Sequence, residues 1–400
     1  MQSVISCYSA ELVFLLAGSD LISMAGEATG VDQRIAARSL ALVGTSVKQQ
    51  ILVWFIIATL LSSVLPNTVV AAVMCSIAMS MLKAVGEGDL KTSKSATLIL
   101  LAIVYGANNG GMLTPLGGAM NLVTVSYIEG FTGVEFIYSD WIVRMLPFTV
   151  LATVVTALFL IGGDCGKKHF DCSREHFREL CRSFPKLDCA GKASMAIFFV
   201  AALLAFTRRL YQAYLPALKP GYIFLIGGLL MFFLKDEHGE AVVTWEKAEK
   251  NLMWGLFFLF SGGTALGALV NGSGAADTLA EIISGINFHS EFTLIIAIVT
   301  LNVILSDVVN NTACAAVTIP IVISIAQGLG LPVIPYLWIA TVSYNLSFTL
   351  PTSIRSIPVG YGLDTKFMFR KGIAITACMV VLVSAMGWLF VRYWPAFAAL

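Results

Sequence analysis

Asn67-Thr68 and Asn311-Thr312 stand inside apolar text, in "LSSVLPNTVVAAV" and "LSDVVNNTACAAVTIP". A carboxamide beside a hydroxyl supplies neutral donors and acceptors together, so each pair can hold an anion or a cation without adding charge of its own. Ser62 and Ser306 precede them at the same distance, Asp307 lies four residues before Asn311, and Arg355 follows in a Gly/Pro-punctuated segment. These types suit reversible binding rather than bond-breaking. The four histidines, His169, His176, His238 and His289, fall between apolar runs, with no intramembrane His–Glu or Ser–His arrangement, which argues against a membrane-embedded enzyme.

The solvent that positions these residues follows from composition. Hydrophobic residues make up 58% of the 400-residue chain and charged residues 12%, against about 25% charged in soluble domains. Apolar runs approach the length needed to cross about 30 Å of hydrocarbon as helices, and they lack the alternation of a β-barrel. Spans are expected at 10–27, 49–85 (a pair), 95–127 (broken), 141–163, 193–210, 219–234, 253–271, 291–328 (a pair), 336–363 (broken) and 373–394. The expected class is therefore an all-α, multi-pass integral protein of the cell (inner or plasma) membrane, whose partners are the lipid bilayer and a small solute. A net charge of +1 implies no nucleic-acid partner. Basic residues gather on one side, from Arg34, Arg38, Lys48 and Lys83 to the seven between Lys167 and Lys192 and on to Lys366, Arg370 and Lys371, whereas 128–140 and 271–292 carry none. By the positive-inside bias the first set is cytoplasmic. Cys165, Cys172, Cys181 and Cys189 share a cytoplasmic loop with His169 and His176, but without Cys-x-x-Cys spacing they read as free thiols rather than a zinc site.

Residues 59–78 and 303–322 share nine identities in twenty at a constant offset of 244. Upstream, the run from Phe14 parallels that from Phe257 or Phe258; downstream, Asn109 and Pro115 parallel Asn345 and Pro351. The first pair is flanked by Lys48 and Lys83 and the second by loops free of basic residues, so the copies point in opposite directions. Inverted repeats with interrupted spans at matching places are the pattern of a secondary transporter. The division expected is 1–163 for a first repeat (hairpin 49–85, broken helix 95–127), 164–192 for a cytoplasmic loop, and 193–400 for a second repeat (hairpin 291–328, broken helix 336–363). Polar backbone at membrane depth persists only where protein or a water-filled cavity covers it, so the two Asn-Thr turns and the two breaks read as the binding site.

These turns, together with "TPLGGAMN", "LPTSIRSIP" and "GSDLISMAGEATGVDQRIAARSLALVGTS", resemble the divalent anion/sodium symporter family over nearly the whole chain. The resemblance implies elevator-type transport of dicarboxylates, tricarboxylates or sulfate, sodium as coupling ion with no other cofactor, and a homodimer. It implies a first sodium site from Ser62, Asn67 and Gly117 and a second from Ser306, Asn311 and Ser353. The anion is then expected between Asn67-Thr68 and Asn311-Thr312, near Gly118 and Arg355. Asp307 is a candidate for a coupling proton or a structural partner, and Arg355 is expected to pair with Asp307 or with the substrate carboxylate. Where the family has serine, this chain has Pro66 and Asn310, and Arg355 adds a fixed cation beside the second sodium site. A sodium-independent exchanger is accordingly the alternative to symport; a sodium/proton antiporter, an arsenite permease and a non-transporting paralogue are the others. The first copy lacks a counterpart of the helices at 193–234, so against the resemblance either scaffold helices are missing ahead of Met1, the favoured reading, or the scaffold is reduced in this chain.

Overall fold

The computed structural model describes residues 11–31, 46–84, 86–170, 188–252 and 290–398, with 254, 257, 258, 261 and 262. The span expected at 253–271 lies largely outside them, as do Cys172, Cys181 and His176. The described residues are helical apart from turns and two isolated bridges.

The longer helices are α1 (Glu11–Ala28), α2 (Val47–Ser62), α3 (Asn67–Ala84), α4 (Lys94–Gly111), α5 (Ala119–Thr132), α6 (Tyr138–Ile161), α7 (Cys189–Phe206), α8 (Pro220–Leu230), α9 (Trp245–Asn251), α10 (Glu291–Val308), α11 (Asn311–Gly328), α12 (Val333–Tyr344), α13 (Ser356–Gly360) and α14 (Thr365–Tyr393). α2–α3 and α10–α11 are the two expected hairpins, and each turn ends with the asparagine that begins the returning helix. α4 and α5 are the halves of the first broken helix, joined by a 3-10 turn at Pro115–Gly117; α12 and α13 are those of the second, with a turn at Ser353–Arg355. α14 begins at Thr365 rather than 373. Lys366, Arg370 and Lys371 do not end it, because long basic side chains can extend from a helix towards water, and Asp364 caps its first turn by accepting from Lys366 N at 3.0 Å.

Two groups of helices form. α1, α7 and α8 pack on one another, and α2–α6 pack with α10–α14; the groups meet where α1 lies against α5 and α7 against α6. Small residues permit the closest approaches. A Cβ on Gly106 would fall 2.4 Å from Phe55 O, and one on Gly110 would fall 2.0 Å from Thr59 O, so α2 lies directly on α4 along a Gly-x-x-x-Gly stripe. In the smaller group, a Cβ on Gly18 would fall 2.2 Å from the Phe224 carbonyl carbon. Apolar side chains such as Val150, Val154 and Leu158 on α6 and Ile304 on α10 point outward, as they should where hydrocarbon replaces water. At the end carrying the basic loops, Lys94 bonds Asp164 at 2.8 Å. That bond and the Gly166 N–H hold the Asp164 carboxyl below the usual carboxylate range.

Candidate functional site

Each hairpin is fastened to the broken helix of its own copy by the same two bonds. Ser62 Oγ donates to Ala107 O at 2.7 Å, and Ser306 Oγ donates to Tyr344 O. Thr114 Oγ1 donates to Ser63 O at 2.5 Å, and Thr352 Oγ1 donates to Asp307 O at 2.8 Å. The serine bonds pair Ala107 with Tyr344, and hence Asn108 with Asn345. This moves the downstream alignment by one residue from the Asn109/Asn345 match read in the sequence, because loop lengths at the turns absorb a residue that linear comparison cannot place. Asn109 instead donates to Thr156 Oγ1 on α6 at 3.0 Å.

The turns also place helix N-termini at the breaks. The first N–H groups of a helix lack intrahelical acceptors and favour an anion. α3 starts at Asn67 and α11 at Asn311; Thr68 is exposed and Thr312 half-buried. Asn310 caps α11 by accepting from Ala313 N at 2.7 Å, so the residue standing in place of the family's serine is a helix cap. Gly118 precedes α5, and a Cβ there would lie 3.9 Å from Asn67 Nδ2. Gly117 packs on the Gly111 carbonyl, which a Cβ would approach to 2.3 Å. Asn67, Gly117 and Gly118 thus meet at the first break, and Ser62 is bonded to α4 one turn before it.

The two copies differ at their tips. Asn67 is buried, yet its carboxamide has no hydrogen-bond partner among the described residues. Asn311 is engaged on both sides: Oδ1 accepts from Ser347 Oγ at 3.2 Å and lies 2.9 Å from Ser306 Oγ, whose single proton it shares with Tyr344 O, and Nδ2 donates to Asn108 Oδ1 at 3.2 Å. Asn108 Nδ2 in turn donates to Ser347 O at 3.2 Å and to Asn345 O. Asn345 Nδ2 donates to Asn121 Oδ1 at 3.1 Å, and Asn121 Nδ2 to Gly111 O and Thr114 O at 2.6 and 2.8 Å. Thr124, Thr341 and Tyr344 hydroxyls continue the network. Sequence reasoning did not single out Asn108, Asn121, Thr124, Thr341, Tyr344 and Ser347. The signal available was a cluster of Asn, Ser and Thr in apolar helices beside each break, which reads equally as helix-to-helix bonding.

The structure favours one of the two alternatives left open for Arg355 and for Asp307, and it separates Ser353 from its expected site. Arg355 is fully buried and every guanidinium nitrogen meets a protein oxygen: Nε donates to Leu350 O at 2.7 Å, Nη1 to Ser347 O at 3.1 Å and to Ser347 Oγ, and Nη2 to Thr352 Oγ1 at 2.5 Å and Ser306 O at 3.4 Å. Its carboxylate partner is Asp307, 3.5 Å away, so in this conformation it presents nothing to a substrate carboxylate. Asp307 accepts from Thr349 N at 3.0 Å, Thr349 Oγ1 at 2.6 Å and Leu350 N at 3.5 Å. These bonds and the Arg355 guanidinium make Asp307 the structural partner that ties the hairpin to the unwound break. Ser353 is exposed, with a left-handed φ of 51°, and its carbonyl accepts from Ser356 Oγ at 2.6 Å. It does not join Ser306 and Asn311.

A cavity of about 190 Å³ separates the two helix groups beside the first tip, walled by Leu65, Pro66 and Gly118 on one side and Leu15, Ser19 and Asp20 on the other. A more open one, about 410 Å³, lies under the second break, with Lys366 and Arg370 at its edge.

The model of a family described as citrate transporter matches residues 1–343, with a second match over 216–397. The chain belongs to the citrate transporter family. Its membership accords with the divalent-anion symporter resemblance of the hairpins, and it makes the protein a multi-pass membrane transporter rather than an enzyme. Similar relatives include the sodium-dependent dicarboxylate transporter SdcS of Staphylococcus saprophyticus, 25% identical over 96% of this chain and 77% of that one. SdcS of Staphylococcus aureus is 26% identical over 96% and 77%, and an uncharacterized transporter of Haemophilus influenzae is 27% identical over 94% and 80%. Among solved structures, the YdaH transporter of Alcanivorax borkumensis matches with a TM-score of 0.63 over 98% of this chain and 88% of that one, at 14% identity. At that identity the match speaks for the fold alone.

Proposed function

We propose that this citrate-family transporter carries small dicarboxylates, succinate or malate in type, by elevator-type alternating access and as a homodimer. Residues 1–163 and 193–400 act as inverted repeats around the solute, and 164–192 is the loop between them. The observation that carries this reading is the pair of asparagine-tipped hairpins, each starting a helix beside the other copy's broken helix, with Asn108 bonding Asn311 across the repeats. Helix starts and neutral amides at such a junction suit a carboxylate pair. Asn67, Thr68, Gly118, Asn311 and Thr312 are the residues assigned to the anion. The relatives named as sodium-dependent dicarboxylate transporters support both solute and ion, and at the first break Asn67's unbonded carboxamide with Ser62 and Gly117 fits a cation held by neutral oxygens. Purified protein in liposomes is expected to accumulate labelled succinate or malate when an inward sodium gradient is imposed, with competition confined to di- and tricarboxylates. Competition by none of these anions removes the substrate assignment.

The elevator reading makes α1, α7 and α8 the fixed group, and the 190 Å³ cavity its boundary with the moving one. Arg208, buried in the turn after α7, clasps Glu135 between α5 and α6 with two bonds of 2.6 and 3.0 Å, and Arg209 reaches Asp140 at 3.3 Å. These ion pairs join the groups at one end and must part if the groups slide. Linking Arg208→Cys to Glu135→Cys with a cleavable bifunctional thiol reagent, in a background with the eight native cysteines replaced, is expected to stop uptake until the link is cleaved. Full uptake by the linked protein excludes relative movement at this boundary.

A further inference from the structure

We infer that Arg355 is a tethered cation that keeps the second hairpin closed on its broken helix, so that this copy takes no sodium ion and any ion dependence resides in the first copy. The inference deepens the reading above and rests on it for the role of the first copy.

It comes from comparing the two copies within one chain. Both hairpins carry the same serine-to-carbonyl and threonine-to-carbonyl bonds, so their frames match. Inside those frames the contents differ. In the first, position 63 is serine where the second copy has Asp307, and Gly118-Ala119 stands where the second has Arg355. Its tip amide, Asn67, is buried and unbonded.

In the second copy the guanidinium meets oxygens of Ser306, Asp307, Ser347, Leu350 and Thr352. Two belong to the hairpin's outgoing arm and three to the unwound break. A cation bound among carbonyl and hydroxyl oxygens would bridge the same two elements, but it would come and go with its concentration. A guanidinium cannot be deprotonated in a protein and cannot leave. Asp307 balances its charge, so the tether adds no net charge, and the guanidinium already takes oxygens of Ser306, Ser347, Leu350 and Thr352 that could otherwise face a sodium ion. Ser353, the remaining residue of the expected second sodium site, is exposed, and its carbonyl accepts from Ser356 Oγ instead of bonding to this cage. The residues present at the second break therefore do not fit sodium.

The test reads hairpin accessibility directly. Thr68→Cys and Thr312→Cys are placed singly in a background with all eight native cysteines replaced, and maleimide labelling rates are compared in sodium-free choline buffer and in saturating sodium. The expected result is sodium-dependent slowing at Thr68→Cys and an unchanged rate at Thr312→Cys. Sodium-dependent slowing at Thr312→Cys overturns the inference. Sodium titration of thermal stability in the unmodified protein should give a Hill coefficient of about one; a coefficient approaching two also overturns it. Adding Arg355→Gln to Thr312→Cys should accelerate labelling several-fold at any sodium concentration. If that variant does not fold, the parent labelling and the titration still decide. An unchanged rate at Thr312→Cys in a protein that transports no dicarboxylate would sink the proposed function while leaving the tether standing.

Discussion

Asn311→Ala is expected to lose dicarboxylate uptake by about 100-fold while the protein still inserts into the membrane. The carboxamide makes three hydrogen bonds, to Ser306, Ser347 and Asn108, and the last joins the two copies. At roughly 1 kcal/mol each, their loss amounts to about 3 kcal/mol, or two powers of ten in an equilibrium or a rate. Insertion should survive because α10 and α11 keep their apolar length without that side chain. Asn67→Ala is the informative comparison. It removes no hydrogen bond among the described residues, so its melting temperature should stay at the parent value while solute affinity falls. Uptake assays and thermal melts on both variants check the pair. Parent-level uptake in both would end the assignment of the hairpin tips to the solute.

Asp307→Ala is expected to be the most damaging single change to folding. It strands a guanidinium that is fully buried at membrane depth. Removing one partner of a buried pair costs about 3–5 kcal/mol, a large part of the stability of an ordinary domain. It also leaves Thr349 N and Thr349 Oγ1 without their acceptor. Folded yield by size-exclusion chromatography in detergent should fall steeply. The double change Asp307→Ala with Arg355→Met should recover much of it, because replacing both charges leaves no uncompensated ion. A single variant as stable as the parent would show that the pair contributes little, and the double variant would then have nothing to restore.

The membrane class, the two hairpins and the two breaks were legible in the sequence. Each is written locally: apolar length specifies the solvent, Gly and Pro mark the breaks, and the offset of 244 exposes the duplication. The tip asparagines were legible for the same reason, since a carboxamide in lipid-compatible text stands out wherever the chain later places it.

Partner choice was not legible. Asn108 and Asn311 lie 203 residues apart in sequence, Asn121 and Asn345 lie 224 apart, and Arg208 and Glu135 lie 73 apart. No periodicity records which of several buried amides faces which, because that depends on how two broken helices cross. Arg355 makes the point most sharply. From the sequence its charge could answer either a substrate carboxylate or Asp307, and composition weighs both alike. Only the tertiary structure decided, because the unwound stretch from Ser347 to Thr352 wraps its oxygens around the guanidinium and brings Asp307 to 3.5 Å. Sequence determines which groups cannot be left unpaired at membrane depth; the packing of the helices determines what pairs them.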